Sequence, residues 1–207
     1  MADIARFTFL RHLRGAETTY IRHVRNGKAL HEGTASSFWF RPLGAVLAEI
    51  PVDDRELPLL FHAQTADYQD VAVQATVTFR LADPVLAAAR VDFSIDPLTG
   101  RHTATPMAQI GTILAETAQQ HALGILARLS LTEAITTGLA AVRDGVAAGL
   151  SQDNRLAETG IQVIGTRVVA VKPEPSVEKA LQTPTRERLQ QDADAATFER
   201  RAVAVER

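Results

Sequence analysis

The stretch from Thr65 to Pro84 reads TADYQDVAVQATVTFRLADP, and its apolar residues occupy every second position from Val71 to Leu81. The residues between them are small or polar, so the pattern predicts a long strand that buries one face. Asp83 and Pro84 follow at once, as a helix N-cap and a first helical residue. No side chains in the stretch are arranged for catalysis, so it indicates architecture rather than an active site.

Three further local signals predict neighbouring elements. Asn26-Gly27 lies between two short runs and predicts a type I′ hairpin, since both turn residues need a positive φ. The sequence SLTE at 130–133 is a capping box that opens a helix. Gly160 then ends the helical region, and IQVIGTRVVAVKP returns to a strand that ends at Pro173. The helical region carries two apolar stripes: Met107, Ile110, Leu114, Ala118, His121 and Ile125, then Ile135, Leu139, Val142, Val146 and Leu150.

The end of the chain has a different character. From Glu174 to Arg207 it is rich in Ala, Gln, Glu and Arg, which predicts a long surface or coiled-coil helix that is secure from Pro184 onward. Its apolar seam is thin, because polar residues interrupt the heptads. We expect this helix to mediate self-assembly and to continue beyond Arg207. The candidate assembly residues are Leu181, Leu189, Ala196, Phe198 and Val203.

The composition argues against several classes of protein. The 207 residues include 22 basic and 24 acidic side chains, so the basic excess of a typical nucleic-acid binder is absent. Cysteine is absent as well, which excludes disulfides and thiolate chemistry. No run of about 18 apolar residues and no secretory signal occurs, so we expect a cytoplasmic location, either soluble or on a membrane surface.

Catalytic and metal-binding motifs are also missing from the sequence. It holds no glycine-rich nucleotide motif and no G-x-S-x-G motif, and its six histidines lack metal-site spacing. His121, on an apolar stripe, is interpreted as a buried or interface residue. Asp53-Asp54 reads as a polar turn with weak potential for a cation. We therefore predict no catalytic residues, no cofactor and no metal; a metal-dependent hydrolase using His62 or His102 is a minor alternative.

The segment SSFWFRPLG at 36–44 gives the clearest indication of a function. Its three consecutive aromatics favour a core or subunit contact, and on a loop they would instead form an interfacial membrane anchor. The N-terminal IARFTFLRHL is a second short apolar segment, and the modest basic excess of the first fifty residues could attract anionic lipid headgroups. The candidate membrane contacts are Phe7, Phe9, Leu10, Phe38, Trp39 and Phe40.

The order of these elements resembles the SPFH or band 7 family, which includes stomatins, prohibitins and flotillins. Each motif is loose alone, but four occur in the family's order, and the resemblance spans about residues 18–207. The polar loop at 92–106 is longer than expected of a stomatin and indicates a divergent bacterial-type member. The motifs are the T-x-D turn of Thr65 and Asp67, the strand to Leu81, Asp83-Pro84, and the Gly160-Ile161-x-Val163 strand that ends near Pro173.

The resemblance implies an α+β SPFH domain with mixed or antiparallel strands and packed helices, followed by a long coiled-coil-like helix. We expect an N-terminal segment at 1–17 that could contact a membrane. The SPFH domain then covers 18–173, with a β-rich half at 18–91 and an α/β half at 92–173. The assembly helix occupies 174–207.

The resemblance also implies a function. It points to a non-enzymatic homo-oligomer whose rings or cages lie on the inner face of the cell membrane and organise lipids and proteins. Expected partners are copies of itself, an anionic membrane surface and client proteins such as a membrane protease, but no nucleic acid. A soluble, vault-like shell without membrane contact is the main alternative. Members commonly carry an N-terminal membrane anchor, and here IARFTFLRHL occupies that place.

Overall fold

The computed structural model describes residues 3–6 and 9–205, including all side chains there except those of Arg6, Thr185 and residues 198–205. Strands dominate the chain up to Leu81, and helices dominate it from Pro84 onward. The strands are β1 (Asp3–Arg6), β2 (Arg11–Arg14), β3 (Thr19–Arg25), β4 (Lys28–Thr34), β5 (Ser37–Phe40), β6 (Ala45–Pro51), β7 (Arg55–Gln64), β8 (Asp70–Leu81), β9 (Ser94–Ile95) and β10 (Ile161–Pro173). The helices are α1 (Pro84–Arg90), α2 (Pro106–Leu126), α3 (Leu131–Thr136), α4 (Gly138–Gln152), α5 (Asn154–Glu158) and α6 (Pro175–Val205).

The predicted alternating strand, β8, is the middle strand of the main sheet. It pairs antiparallel with β7 on one side and with β10 on the other. Its alternating apolar residues from Val71 to Leu81 are all buried, which confirms the half-buried strand. The predicted cap also forms, because Asp83 accepts hydrogen bonds from the N–H groups of Val85 and Leu86 at 3.0 and 2.9 Å. The helices α2 and α4 contact this sheet and enclose the first hydrophobic core.

The helix predicted after the capping box is interrupted. The box itself forms, but α3 ends at Thr136 and α4 begins at Gly138. The break follows from the sequence Thr136-Thr137-Gly138, because two β-branched residues and a glycine all have low helix propensity. It leaves Ile135 and Leu139 exposed, so the single predicted stripe is wrong at those two positions. The rest of that stripe is buried as predicted: Val142, Val146 and Leu150.

Two glycines of α4 let this helix approach α2 closely. Gly149 lies against the imidazole ring of His121, and Gly145 lies against the side chain of Ile125. Neither position has room for a β-carbon without movement of that neighbour. His121 is half-buried, and it is therefore a residue of the interface between the two helices, as the sequence indicated.

The first strands form two small sheets around a second hydrophobic core. One sheet has the order β1-β2-β5 and the other the order β4-β3-β6-β9, and we call the pair the N-terminal sandwich. The predicted Asn26-Gly27 hairpin joins β3 and β4 with φ values of 52° and 74°. The loop at 92–106 contributes the short strand β9, which the sequence did not predict. The buried residues of this core are Leu13, Ile21, Phe38, Phe40, Ala45, Leu47 and Ile95.

Gly160 links two distant parts of the chain at the start of β10. Its carbonyl accepts hydrogen bonds from the N–H groups of Ala82 at 2.9 Å and Asp83 at 3.4 Å. Its φ is +74°, and a β-carbon here would lie 2.5 Å from the Asp83 carbonyl oxygen. Both the left-handed backbone and the close approach therefore require glycine.

The long helix α6 begins at Pro175, within the range expected for the assembly helix. It is already helical before Pro184, the residue after which the sequence made a helix secure, and it continues through that proline. Pro175 suits a first helical position. At Pro184 the helix continues although the proline removes one backbone hydrogen bond and the flanking Thr183 and Thr185 have low helix propensity. Among the described strands all pairings are antiparallel. The α+β class, with packed helices and a long C-terminal helix, is confirmed.

Candidate assembly and membrane-contact surfaces

The predicted assembly helix α6 is exposed along most of its described length. Leu181 and Leu189 are 47 % and 64 % exposed, and Ala196 is half-buried. The side chains of Phe198 and Val203, the other two candidates, lie outside the described residues. The described candidates therefore lie on a helix with little contact to the rest of its own subunit.

Polar side chains support α6 as a single helix. Gln182 donates to Glu178 and Arg186 donates to Gln182, both at 3.1 Å, and Gln190 donates to Asp194 at 3.0 Å. Such pairs four residues apart stabilise an isolated helix by only about 0.2–0.5 kcal/mol each. A helix of this kind gains most of its stability from packing against a neighbour.

A groove of about 380 Å³ lies at the base of α6, where the helix leaves the main sheet. Its apolar lining comes from Ile135 of α3, Val171 and Pro173 of β10, and Leu181 of α6. Ile135 and Leu181 are 38 % and 47 % exposed, so the groove presents apolar surface to solvent. This groove extends the candidate assembly surface from α6 onto the body of the subunit.

The aromatic run at 38–40 is split by the alternation of β5. Phe38 and Phe40 are 7 % and 3 % exposed and belong to the second core, so their assignment as membrane contacts is wrong. They point inward because successive side chains of a strand face opposite sides. Trp39 points outward, is 50 % exposed, and lies 4.8 Å from the ring of His12. The core interpretation therefore holds for the two phenylalanines.

Two of the remaining membrane candidates lie in the connection before β2. Phe9 and Leu10 are 85 % and 41 % exposed, as a membrane contact requires, although exposure does not test that role. Phe7 lies outside the described residues. Leu43, which is not among the candidates from the sequence, is 91 % exposed in the turn between β5 and β6. An apolar residue between Pro42 and Gly44, in a turn where polar residues are usual, was the available signal.

A pair of histidines closes one side of the second core. His23 and His31 are paired across β3 and β4, with their Nδ1 atoms 3.2 Å apart. Both rings stack on Phe38, with ring centres 5.2 and 4.4 Å away. Burial lowers the pKa of His23 below its ordinary value of 6.5, and the neighbouring His31 and Arg25 lower it further. His23 is therefore neutral at neutral pH and serves packing.

The T-x-D turn holds the start of a helix that is distant in sequence. The Thr65 hydroxyl donates to Asp67 at 2.6 Å, and the Asp67 carboxylate accepts from the Leu131 N–H at 3.1 and 3.2 Å. These bonds lower the pKa of Asp67, and the Thr65 hydroxyl contributes most. Because Asp67 caps α3, its role is structural.

The candidate metal ligands do not converge. Among the described residues no group of three or more His, Asp or Glu side chains could hold a metal ion. His62 and His102 line different cavities. Asp53 and Asp54 form ion pairs with Arg55 at 3.4 Å and Arg80 at 2.9 Å, so the acidic pair orders a turn between β6 and β7.

No helix in the described part of the chain is both long and apolar enough to span a membrane. A family model described as "SPFH domain / Band 7 family" matches residues 20–202. No curated protein matches the chain.

Proposed function

The chain belongs to the SPFH domain / Band 7 family, and on that premise we propose that it is one subunit of a non-enzymatic homo-oligomeric scaffold. The proposed scaffold closes into rings or cages through lateral contacts of α6. It organises a membrane region and the proteins within it, with client proteins such as a membrane protease as partners. The family as a whole is generally membrane-associated and non-enzymatic, which supports this proposal.

The exposure of α6 is the observation that carries the proposal. The described helix comprises 31 residues, and its exposed leucines have few contacts within the subunit. A polar helix with a thin apolar seam gains little stability alone, so packing against copies of itself is the physical reason for its length. The apolar groove at its base offers a second contact to a neighbouring subunit.

The test is the oligomeric state of the full chain at micromolar concentration, measured by light scattering and by electron microscopy. We expect closed oligomers, and Leu189→Asp should shift them toward smaller species by placing a charge in the seam. Thr183→Asp is the matched control, because it adds the same charge nearly opposite the seam on the same helix. Circular dichroism verifies that both variants keep their helix content. A strictly monomeric parent protein would contradict the proposal.

A further inference from the structure

Four chain connections lie together at one end of the N-terminal sandwich. The pairing of Arg11 with Phe40 brings the connection before β2 next to the turn after β5. The pairing of Arg25 with Ala45 places the β3–β4 hairpin turn beside that same turn. Since β9 runs antiparallel to β6, the loop after β9 lies at this end too. We call this end the sandwich tip, comprising residues 9–11, 25–28, 41–44 and 96–101.

The sandwich tip exposes an apolar side chain on three of its four connections. Leu43 and Phe9 are the most exposed, at 91 % and 85 %, and Leu98 and Leu10 are 51 % and 41 % exposed. Single exposed apolar residues are common, but several grouped on adjacent connections mark a contact surface. The second core holds the strands beneath them, so these residues project from a fixed support.

Basic residues surround these apolar side chains. The acidic residue of the tip, Asp96, accepts hydrogen bonds from the Leu98 N–H at 2.9 Å and from the Thr99 hydroxyl at 2.8 Å. It therefore shapes its own loop, and Arg11 fastens that loop by donating to the Leu98 carbonyl at 3.4 Å. Because five basic residues stand against this one acidic residue, the tip carries a net positive charge. Its basic residues are Arg11, Arg25, Lys28, Arg41 and Arg101, and all except the half-buried Arg11 are exposed.

We propose that the sandwich tip docks on an anionic lipid bilayer, with Leu43, Phe9, Leu10 and Leu98 entering the boundary between headgroups and acyl chains. The surrounding arginines and Lys28 bind the anionic headgroups. This proposal rests on the proposed function, because a scaffold that organises a membrane region needs a surface that holds it at that membrane.

The chemistry of the tip favours a lipid surface over a protein partner. Apolar side chains on separate connections, ringed by cations, match the layered order of an anionic bilayer, where charge lies outside and hydrocarbon inside. The four cavities at the base of α6, beside His62, beside His102 and beside Gly160 are not lined by tip residues, so none of these four offers a peptide a groove at the tip.

A tryptophan placed at the tip tests insertion directly. Trp39 is the only tryptophan, so Trp39→Phe gives a silent background for Leu43→Trp. On vesicles of phosphatidylcholine with phosphatidylglycerol we expect a blue-shifted emission that brominated acyl chains quench. The control is Leu60→Trp in the same background, since Leu60 is 72 % exposed on β7, outside the tip. Absence of quenching at position 43, or equal quenching at both positions, would overturn the proposal.

Charge reversal tests the basic ring in vesicle flotation. Arg41→Glu with Lys28→Glu should weaken binding to anionic vesicles by at least about tenfold, because each basic residue near the surface contributes to attraction. Arg128→Glu with Arg167→Glu, two exposed positions outside both the tip and the groove at the base of α6, should leave binding unchanged. If the parent protein bound vesicles of pure phosphatidylcholine as well as anionic vesicles, the proposed role of the basic residues around the tip would be contradicted.

Light scattering on the same samples separates this proposal from the scaffold proposal. An oligomer that does not bind anionic vesicles overturns the docking surface and leaves the scaffold intact, as a soluble shell. A monomer that binds and gives quenching at position 43 supports the docking surface and overturns the scaffold.

Discussion

Gly160 is the residue where local backbone and long-range contact are coupled most tightly. Its positive φ and its close approach to Asp83 hold the start of β10 against the turn that leads into α1. We predict that Gly160→Ala lowers the free energy of unfolding by about 2–4 kcal/mol, because strain and a steric clash add. Urea denaturation monitored by circular dichroism measures the change.

Gly27 provides the control for Gly160. It has the same φ of +74°, but a β-carbon there would meet nothing within 4 Å. Gly27→Ala should therefore lower the free energy of unfolding by only about 1 kcal/mol, the cost of a left-handed backbone without a steric clash. Equal losses at the two positions would show that the contact with Asp83 contributes nothing.

His23 makes stability depend on pH. Its pKa is lowered in the folded protein, so between its unfolded pKa near 6.5 and its folded pKa the unfolded chain binds more protons. Stability should therefore fall as the pH drops below about 6.5. In His23→Phe, whose ring can also stack on Phe38, this part of the loss should disappear. Thermal melts from pH 7.5 to 5 compare the two; parallel curves would contradict the assignment.

At the scale of elements, the contact between α2 and α4 depends on the absence of side chains. We predict that Gly149→Ala destabilises the protein by about 1–3 kcal/mol, because the added methyl must displace the His121 ring. Gly124→Ala, on α2 with open space around it, should raise stability by up to about 1 kcal/mol through helix propensity. Chemical denaturation of both variants measures the difference, and the same sign at both sites would be inconsistent with close packing.

The caps and turns that could be predicted from the sequence depend on residues only a few positions apart. The caps at Asp83 and Ser130 and the Asn26-Gly27 turn are of this kind. The cap that Asp67 gives Leu131 spans 64 positions and has no local signal. The same limit applies to the sandwich tip, whose four connections come together only through strand pairing.

Two segments show the limits of a local sequence pattern. The three aromatics at 38–40 favour the core as a group, and only the alternation of β5 separates Phe38 and Phe40 on the inner face from Trp39 on the outer face. At Pro184 the local signal favours a helix end, yet α6 continues through it.

At the scale of the whole molecule, the two hydrophobic cores should unfold with different ease. The second core has seven buried residues, and the first has many more. We predict that Phe40→Ala speeds amide hydrogen exchange at Leu13 and Phe38 by about 100-fold or more, since deleting a buried phenylalanine costs about 3–5 kcal/mol. Amides of Val73 and Val77 in β8 should change only slightly. Uniform acceleration would mean that the cores open together.

The corner between β10 and α6 has a mechanical consequence for any assembly. Pro173 still pairs with Val71, Glu174 donates to the Asp70 carbonyl at 3.3 Å, and the helix starts at Pro175. The described helix is about 46 Å long at about 1.5 Å per residue, so it acts as a lever arm fixed to the sheet. A tilt of about 10° at the corner moves the far end by about 8 Å. In the proposed ring, the contacts at this corner would therefore set the curvature, and with it the number of subunits needed for closure.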